Sequence, residues 1–287
     1  MSEVKKHQGL SYSSFTEYQG CNRKWFLRKV LKLPIDSDAS EDTLAFNIGK
    51  AFHKCLEDTK HNLKGFKFDD AMAACVTFGI EDEDTAAMIY AMLSKYKTLH
   101  EKSGLKVAAC ETTIESPVFF GVIDSVMYEE EAGWWICDLK TAGSWTASNV
   151  NTAASHTQLN IYAKYSDLIA KAVGMEHVPF LGCRLRTTVK SRLQRKGGEG
   201  LAEYIQRMAA GIKSIDIAIP VGVMPVDKIN KIHEMTAKKI LSAKPKDEDK
   251  FPPNFNNCMS YFKPCEHFSK CHGRNFTDIP AITVEEV

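Results

Sequence analysis

Apolar and polar positions along this chain follow two rhythms, helical spacing in the first hundred residues and strand alternation in the next ninety. In residues 11–33, Phe15, Tyr18, Trp25 and Phe26 supply the apolar positions of a predicted helix. Ser13 or Ser14 caps it, with Glu17 three residues after Ser14 in capping-box spacing. Its second half is basic (Arg23, Lys24, Arg28, Lys29, Lys32), and Pro34 with the acidic run 36–42 ends it. A second helix is predicted over 44–58 and carries Gly49, His53, Leu56 and Glu57. Residues 69–99 read as helical, with a break or a new N-terminus at Glu81-Asp82-Glu83-Asp84.

Strand-like patterns follow at 107–113, 118–128 and 134–140, a predicted meander whose last hairpin turns through Glu129-Glu130-Glu131-Ala132-Gly133. Residues 153–173 predict a helix, 178–188 a fourth strand, and 190–200 (KSRLQRKGGEG) a basic, glycine-bearing loop. A short helix at 201–213, a strand at 215–223, a helix at 226–243 and an irregular stretch at 245–257 complete the chain before its last cysteines. The layout predicts an α/β fold, a mixed α/β core with helical additions.

Composition narrows the class. A chain of 287 residues can bury a substantial core, as one large domain or two small ones. Net charge is +1, so any basic footprint for nucleic acid must be local. No apolar run reaches bilayer-crossing length and the N-terminus lacks the apolar core of a signal peptide, which points away from a membrane. The expected compartment is the cytoplasm, of a cell or of a virus-infected host. Disulfides are rare there. Of nine cysteines, Cys55, Cys75, Cys110, Cys137 and Cys183 stand singly among apolar neighbours and read as buried thiols. Cys21, Cys258, Cys265 and Cys271 have a different pattern.

The strongest chemical signal is Asp138-Leu139-Lys140, at the end of the apolar run Trp134-Trp135-Ile136-Cys137 and fourteen residues after Asp124. Alternate side chains of a strand share a face, so Asp138 and Lys140 point together and Leu139 points into the core. Two carboxylates and a lysine are the minimal equipment for metal-assisted phosphodiester hydrolysis, although surface strands also place opposite charges two apart. His53 is either a helical histidine with an unrelated partner or part of this group. Gly49 would let another backbone approach its helix. Gln158 and Tyr162, four apart, share a helix face, as a functional pair or as the polar edge of an amphipathic helix. Glu111 is a further ligand or an exposed strand acid.

Taken in order, Gly49-x-x-x-His53, Gly121-Val122-Ile123-Asp124, Asp138-Leu139-Lys140 and Gln158-x-x-x-Tyr162 resemble the PD-(D/E)XK nuclease superfamily, and within it the RecB-like branch. The resemblance spans residues 11–271 and implies a restriction-endonuclease-like mixed β-sheet core flanked by helices. One nuclease domain is expected, because Cys21 and the C-terminal cysteines lie on opposite sides of the nuclease motifs; it divides into N-terminal helices with Cys21 and His53 (11–60), a helical insert (61–105), the nuclease core (106–190), a basic loop with helices (191–250) and a cysteine-bearing tail (251–287). Asp124 and Asp138 would hold Mg²⁺ or Mn²⁺ with the Leu139 carbonyl and His53. Lys140 would orient or help deprotonate the attacking water and stabilise the developing charge. Gln158 and Tyr162 would position the DNA strand.

Cys258, Cys265 and Cys271 are separated by six and five residues, with Cys21 far upstream. One remote and three clustered cysteines resemble the iron–sulfur arrangement of AddB-type and CRISPR-associated exonucleases of this superfamily, which implies a 4Fe–4S cluster. Structural Zn²⁺, with His267 or His272 replacing a cysteine, and incidental thiols are the alternatives. Two basic clusters stand out for DNA, one with Arg23 and Lys24, the other with Arg184, Arg192 and Arg195. Each is otherwise a solvated basic face. Trp145 and Tyr162 could stack on unpaired bases, and Trp145 could equally be core.

The implied activity is a metal-dependent DNA exonuclease acting on single strands or ends, in recombination, repair or viral DNA processing. A catalytically weak DNA-binding module of the same fold and a CRISPR-adaptation nuclease are the alternatives. No Gly-x-x-x-x-Gly-Lys-Ser/Thr occurs, so unwinding would come from a helicase or recombination partner.

Overall fold

A computed structural model describes residues 9–35, 43–146, 150, 152–260 and 263–273. The predicted acidic helix stop at 36–42 and the end of the tail at 274–287 lie outside the described residues. The chain divides into two compact units, one from Asp42–Ile114 with Gly121–Ile232, the other from Met1–Glu41, Glu115–Phe120 and His233–Val287.

The larger unit is built on a five-stranded sheet in the order β1-β2-β3-β4-β5: β1 Lys106–Glu115, β2 Phe120–Glu129, β3 Gly133–Ala142, β4 Phe180–Val189 and β5 Ser214–Pro220. β2 and β3 pair antiparallel, β3 and β4 parallel, β4 and β5 antiparallel, so the sheet is mixed, as the family resemblance implies. A parallel pair needs a long crossover; the helices that will be called α6 (Thr157–Lys164) and α7 (Ser166–Val173) lie in it. β3 is the central strand and is buried from Gly133 to Leu139, which explains why it reads as an unbroken apolar run. The β2–β3 turn places Glu131 at φ 66° and Gly133 at φ 151°, and a Cβ on Gly133 would lie 2.4 Å from the Pro179 carbonyl oxygen, so only glycine fits there.

Upstream of the sheet run α3 (Thr43–Asp58), α4 (Phe68–Thr77) and α5 (Glu83–Ser103). The acidic break expected near 81–84 is real: Asp82 caps α5 by accepting from the Thr85 amide at 2.8 Å. α3 buries Ile48, Ala51, Phe52, Cys55 and Leu56, a stripe at helical spacing, in a cluster with Ile89, Met92, Leu93 and Tyr96 of α5 and Leu139 of β3. Tyr204 and Met208 join it from α8 (Leu201–Gly211). Burial of each such side chain contributes about 1.5–3 kcal/mol. Four of the five singly placed cysteines are buried; Cys110 is half-buried. The helix expected over 153–173 is interrupted at Tyr165 (φ −101°, ψ 20°), which separates α6 from α7.

The smaller unit corrects the N-terminal helix. Ser11, rather than Ser13 or Ser14, caps α1 (Tyr12–Gly20), its hydroxyl accepting from the Ser14 amide at 3.2 Å. The chain then extends at Cys21 (φ −157°, ψ 111°) before α2 (Asn22–Trp25), which continues as a π-helical turn over Phe26–Val30. Phe15, Tyr18, Trp25, Phe26 and Phe251 are buried, and Phe26 stacks on Phe251 at 4.6 Å. α9 (Val226–Leu241), 3₁₀ turns at Pro245–Lys250 and Phe255–Asn257, two short strands, β6 (Met259–Ser260) and β7 (Lys263–Pro264), and α10 (Phe268–His272) follow. No described helix is long and apolar enough to cross a membrane.

Candidate active site

The strand pair β2–β3 carries the carboxylates. Their register runs through Ser125 opposite Cys137, so Asp124 and Asp138 lie at the next step of the ladder. Asp124 Oδ2 accepts the Leu139 amide at 2.6 Å, which fixes the carboxylate against β3. Asp138 and Lys140 project together, with Lys140 Nζ 2.9 Å from Asp138 Oδ1, and Leu139 is buried in the core between them. Strand alternation alone dictates this arrangement.

Lys140 begins a directional chain of hydrogen bonds. Its ammonium also donates to Gln158 Oε1 at 3.0 Å. Gln158 Nε2 donates to the Tyr162 hydroxyl at 2.9 Å, and that hydroxyl donates to the Val122 carbonyl at 3.0 Å. The i, i+4 spacing on α6 makes the Gln158–Tyr162 step, and Val122 returns the chain to β2 two residues before Asp124. The lysine is thereby oriented between two strands and a helix. Tyr162 is only 4% exposed, so its ring cannot stack on a base; the expectation of stacking is corrected to one of anchoring Gln158. Trp145, just past β3, is half-buried.

α3 supplies His53, whose Nδ1 lies 3.8 Å from Asp124 Oδ1. Glu111 of β1 joins them: His53, Glu111 and Asp124 each offer a ligand atom, all within 4.8 Å of one another. Sequence reasoning left Glu111 undecided because its position depends on a backbone φ of +46°, rare outside glycine, which no local pattern announces. Asp138 is outside that trio, but it is 1% exposed and its Oδ2 has no hydrogen-bond partner. The backbone approach expected at Gly49 is made by a side chain instead: the one atom within 4 Å of a Cβ placed there is Thr141 Oγ1, at 3.4 Å. Phe46, Gly49, Lys50, His53, Glu57 and Thr141 are among the residues that line a cavity of about 490 Å³ over Asp124 and Lys140.

Electrostatics fit a cation at this place. Burial raises the Asp138 pKa; Lys140 opposes it and Asp124 adds to it. Burial also raises Asp124, opposed by Lys140 and the Leu139 amide. Glu111 is pushed up to about 7 by burial and then by the charges of Asp124 and Glu57. His53 is held below its usual value, first by burial and then by Lys140, and so presents a neutral imidazole near pH 7. Clustered carboxylates that resist ionisation, a neutral imidazole and an orphaned carboxylate oxygen form an oxygen-rich donor set for a hard divalent cation.

In the smaller unit, Cys21 Sγ accepts the Lys24 amide at 3.4 Å and the Asn254 amide at 3.3 Å. Asn254 and Asn257 both donate to the Gly20 carbonyl, which ties the Cys21 turn to the segment leading into Cys258. Cys258 Sγ lies 3.4 Å from His272 Nε2. Cys271 is pushed up to about 11, by burial first and then by Cys265 and Cys21.

The expected DNA-binding residues divide. Arg184, its side chain 15% exposed, is held by Asp216 at 3.0 Å and Glu129 at 3.5 Å over the Trp135 ring, a strut within the sheet rather than a surface cation. Arg195 pairs with Glu83 at 2.8 Å and Asp84 at 3.6 Å. Arg23 pairs with Glu248, and Lys24 with Glu266 at 3.5 Å. Arg192 donates to the Gly143 carbonyl at 3.3 Å, beyond the end of β3.

A mixed sheet with Asp124 and Asp-x-Lys on paired strands, a histidine from the preceding helices and a Gln-x-x-x-Tyr helix after the sheet's third strand defines a metal-dependent nuclease core. The chain belongs to the PD-(D/E)XK nuclease superfamily, whose family model it matches over residues 9–258. No curated protein matches it.

Proposed function

We propose that this nuclease is a DNA exonuclease that works on single strands or DNA ends, in recombination, repair or viral DNA processing. The observation that carries the catalytic part of the reading is the complete hydrogen-bonded chain Asp138–Lys140–Gln158–Tyr162–Val122 beside the His53, Glu111 and Asp124 group. Mg²⁺ or Mn²⁺ would be held by Asp124, Asp138, Glu111, His53 and the Leu139 carbonyl, and would supply Lewis acidity and an acidified water. Lys140 holds the attacking water in line and neutralises charge developing on the phosphate. Gln158 and Tyr162 keep the ammonium on that face of β3. A non-catalytic binding module has no use for so fully connected a lysine.

Preference for ends or single strands rests on the resemblance to RecB-like nucleases and on a net charge of only +1, which gives little global attraction for long duplex. Linear single-stranded, linear duplex and circular DNA, each offered with Mg²⁺, test it. Loss of label from one terminus first, with circles spared, is expected and gives the polarity. Efficient nicking of circular DNA contradicts the exonuclease reading.

We also infer that Cys21, Cys258, Cys265 and Cys271 hold a 4Fe–4S cluster. Amide donation to Cys21 suits a thiolate ligand. Structural Zn²⁺ is the competing reading, with His272 Nε2 lying 3.4 Å from Cys258 Sγ; the iron content of the purified protein separates the two.

A further inference from the structure

α3 shows two faces. One is the buried apolar stripe described above. The other runs Phe46, Lys50, His53, Glu57, at helical spacing, and lines the catalytic cavity. Phe46 is 63% exposed. A single exposed phenylalanine is ordinary, but this one stands at the mouth of a site built for phosphate chemistry. Lys50 Nζ sits 4.2 Å from the centre of its ring and 5.8 Å from that of Phe78, the other aromatic lining the cavity. Lys50 has no carboxylate partner among the described residues, unlike Lys54, which pairs with Asp58 at 2.6 Å. Lys190, at the head of the basic loop, reaches the same end of α3, donating to the Ala45 carbonyl at 3.4 Å. An exposed phenylalanine ring with a lysine ammonium over one face matches what an unpaired nucleotide offers, a π-faced base for the opposite face and an anionic phosphate for the ammonium.

We propose that Phe46 and Lys50 form a nucleotide-binding subsite that stacks one unpaired base and contacts its phosphate, making single-stranded nucleic acid the preferred substrate. This rests on the nuclease reading and adds the residue that selects unpaired strands. Seven residues of helix separate Phe46 from His53, about 10 Å along the axis at 1.5 Å per residue. The stacked base therefore belongs to a nucleotide near the phosphate being cut. Duplex DNA, whose bases are stacked on each other, cannot use the ring.

The test measures binding of oligothymidylate carrying one 2-aminopurine, with Mg²⁺, in the Asp138→Asn background so that the probe survives. Phe46→Ala, Phe46→Leu, Phe46→Trp and Lys50→Ala are compared, with cleavage assayed in the otherwise native chain. We expect Phe46→Ala and Phe46→Leu to weaken single-strand binding roughly 5- to 150-fold and to abolish 2-aminopurine quenching near the cut site. Phe46→Trp retains both. Lys50→Ala lowers the salt slope by about one counterion. Blunt duplex affinity stays unchanged, and thermal melting is unaffected because Phe46 is on the surface. Single-strand binding by Phe46→Ala equal to that of its parent, or an equal loss on duplex, overturns the subsite. If the native chain cleaves DNA in that case, only the subsite falls; if it neither cleaves nor binds nucleic acid, the nuclease reading falls with it.

Discussion

Lys140 takes its function from what it touches. Held between Asp138 and Gln158, it is a cation whose position is set before substrate arrives, the condition under which a charge stabilises a transition state without reorganisation. Lys140→Met is expected to lower kcat by about 10²–10⁴-fold with little change in substrate affinity; a change confined to KM would contradict the assignment. Tyr162→Phe removes one hydroxyl and leaves Gln158 Nε2 and the Val122 carbonyl without their partner. It should cost about 1–3 kcal/mol of stability and slow the reaction, both readable from thermal melts and single-turnover rates. A second buried network lies at Arg186, 1% exposed, which donates to Asp216 at 2.9 Å, Tyr96 at 3.2 Å, Ser103 at 2.9 Å and His100 Nδ1 at 3.0 Å. The Tyr96 hydroxyl also meets His61 Nδ1 at 2.6 Å. Burial lowers His61 to about 3 and His100 to about 4. Both are neutral in the folded chain but accept protons once unfolded near pH 6.5, so their contribution is intact above that pH and is lost as pH falls toward the folded values. Urea midpoints should drop between pH 6.5 and 4, each histidine adding up to about 1.4 kcal/mol per pH unit. A His61→Gln/His100→Gln variant should show a flatter slope, and an unchanged slope would contradict the burial argument.

At the scale of elements, what could be read from the chain was what depends on neighbours in sequence. The strands and the shared face of Asp138 and Lys140 follow from alternation, and Gln158 with Tyr162 follows from helical pitch. What could not be read depended on contacts distant in sequence or on unusual backbone. The break at Cys21 is stabilised by amides three and more than two hundred residues away. Glu111 enters the site through a left-handed residue inside a strand. Arg184 has the look of a DNA-binding cation until β5 brings Asp216 beside it. The β2–β3 hairpin offers a direct check on the fold. Gly133→Ala forces a Cβ against the Pro179 carbonyl at positive φ and should destabilise the larger unit by more than about 1 kcal/mol. A melting temperature equal to that of the native chain would contradict the turn.

For the whole molecule, the residues proposed for catalysis all belong to the larger unit and the four cysteines to the smaller one. Catalysis and cluster should therefore be separable. Anaerobically purified protein should be brown, with about four irons per chain, and Cys258→Ala should lose the colour; a colourless protein with one bound zinc would contradict the iron–sulfur assignment. The central claim, however, is metal-dependent hydrolysis at Asp124, Asp138 and Lys140. The most direct measurement is degradation of end-labelled single- and double-stranded DNA by the native chain and by Asp138→Ala, with Mg²⁺, Mn²⁺ or EDTA. The account predicts cleavage by the native chain with either metal, none with EDTA and none by Asp138→Ala. Equal cleavage by Asp138→Ala, or no cleavage of either substrate by the metal-replete native chain, would contradict it.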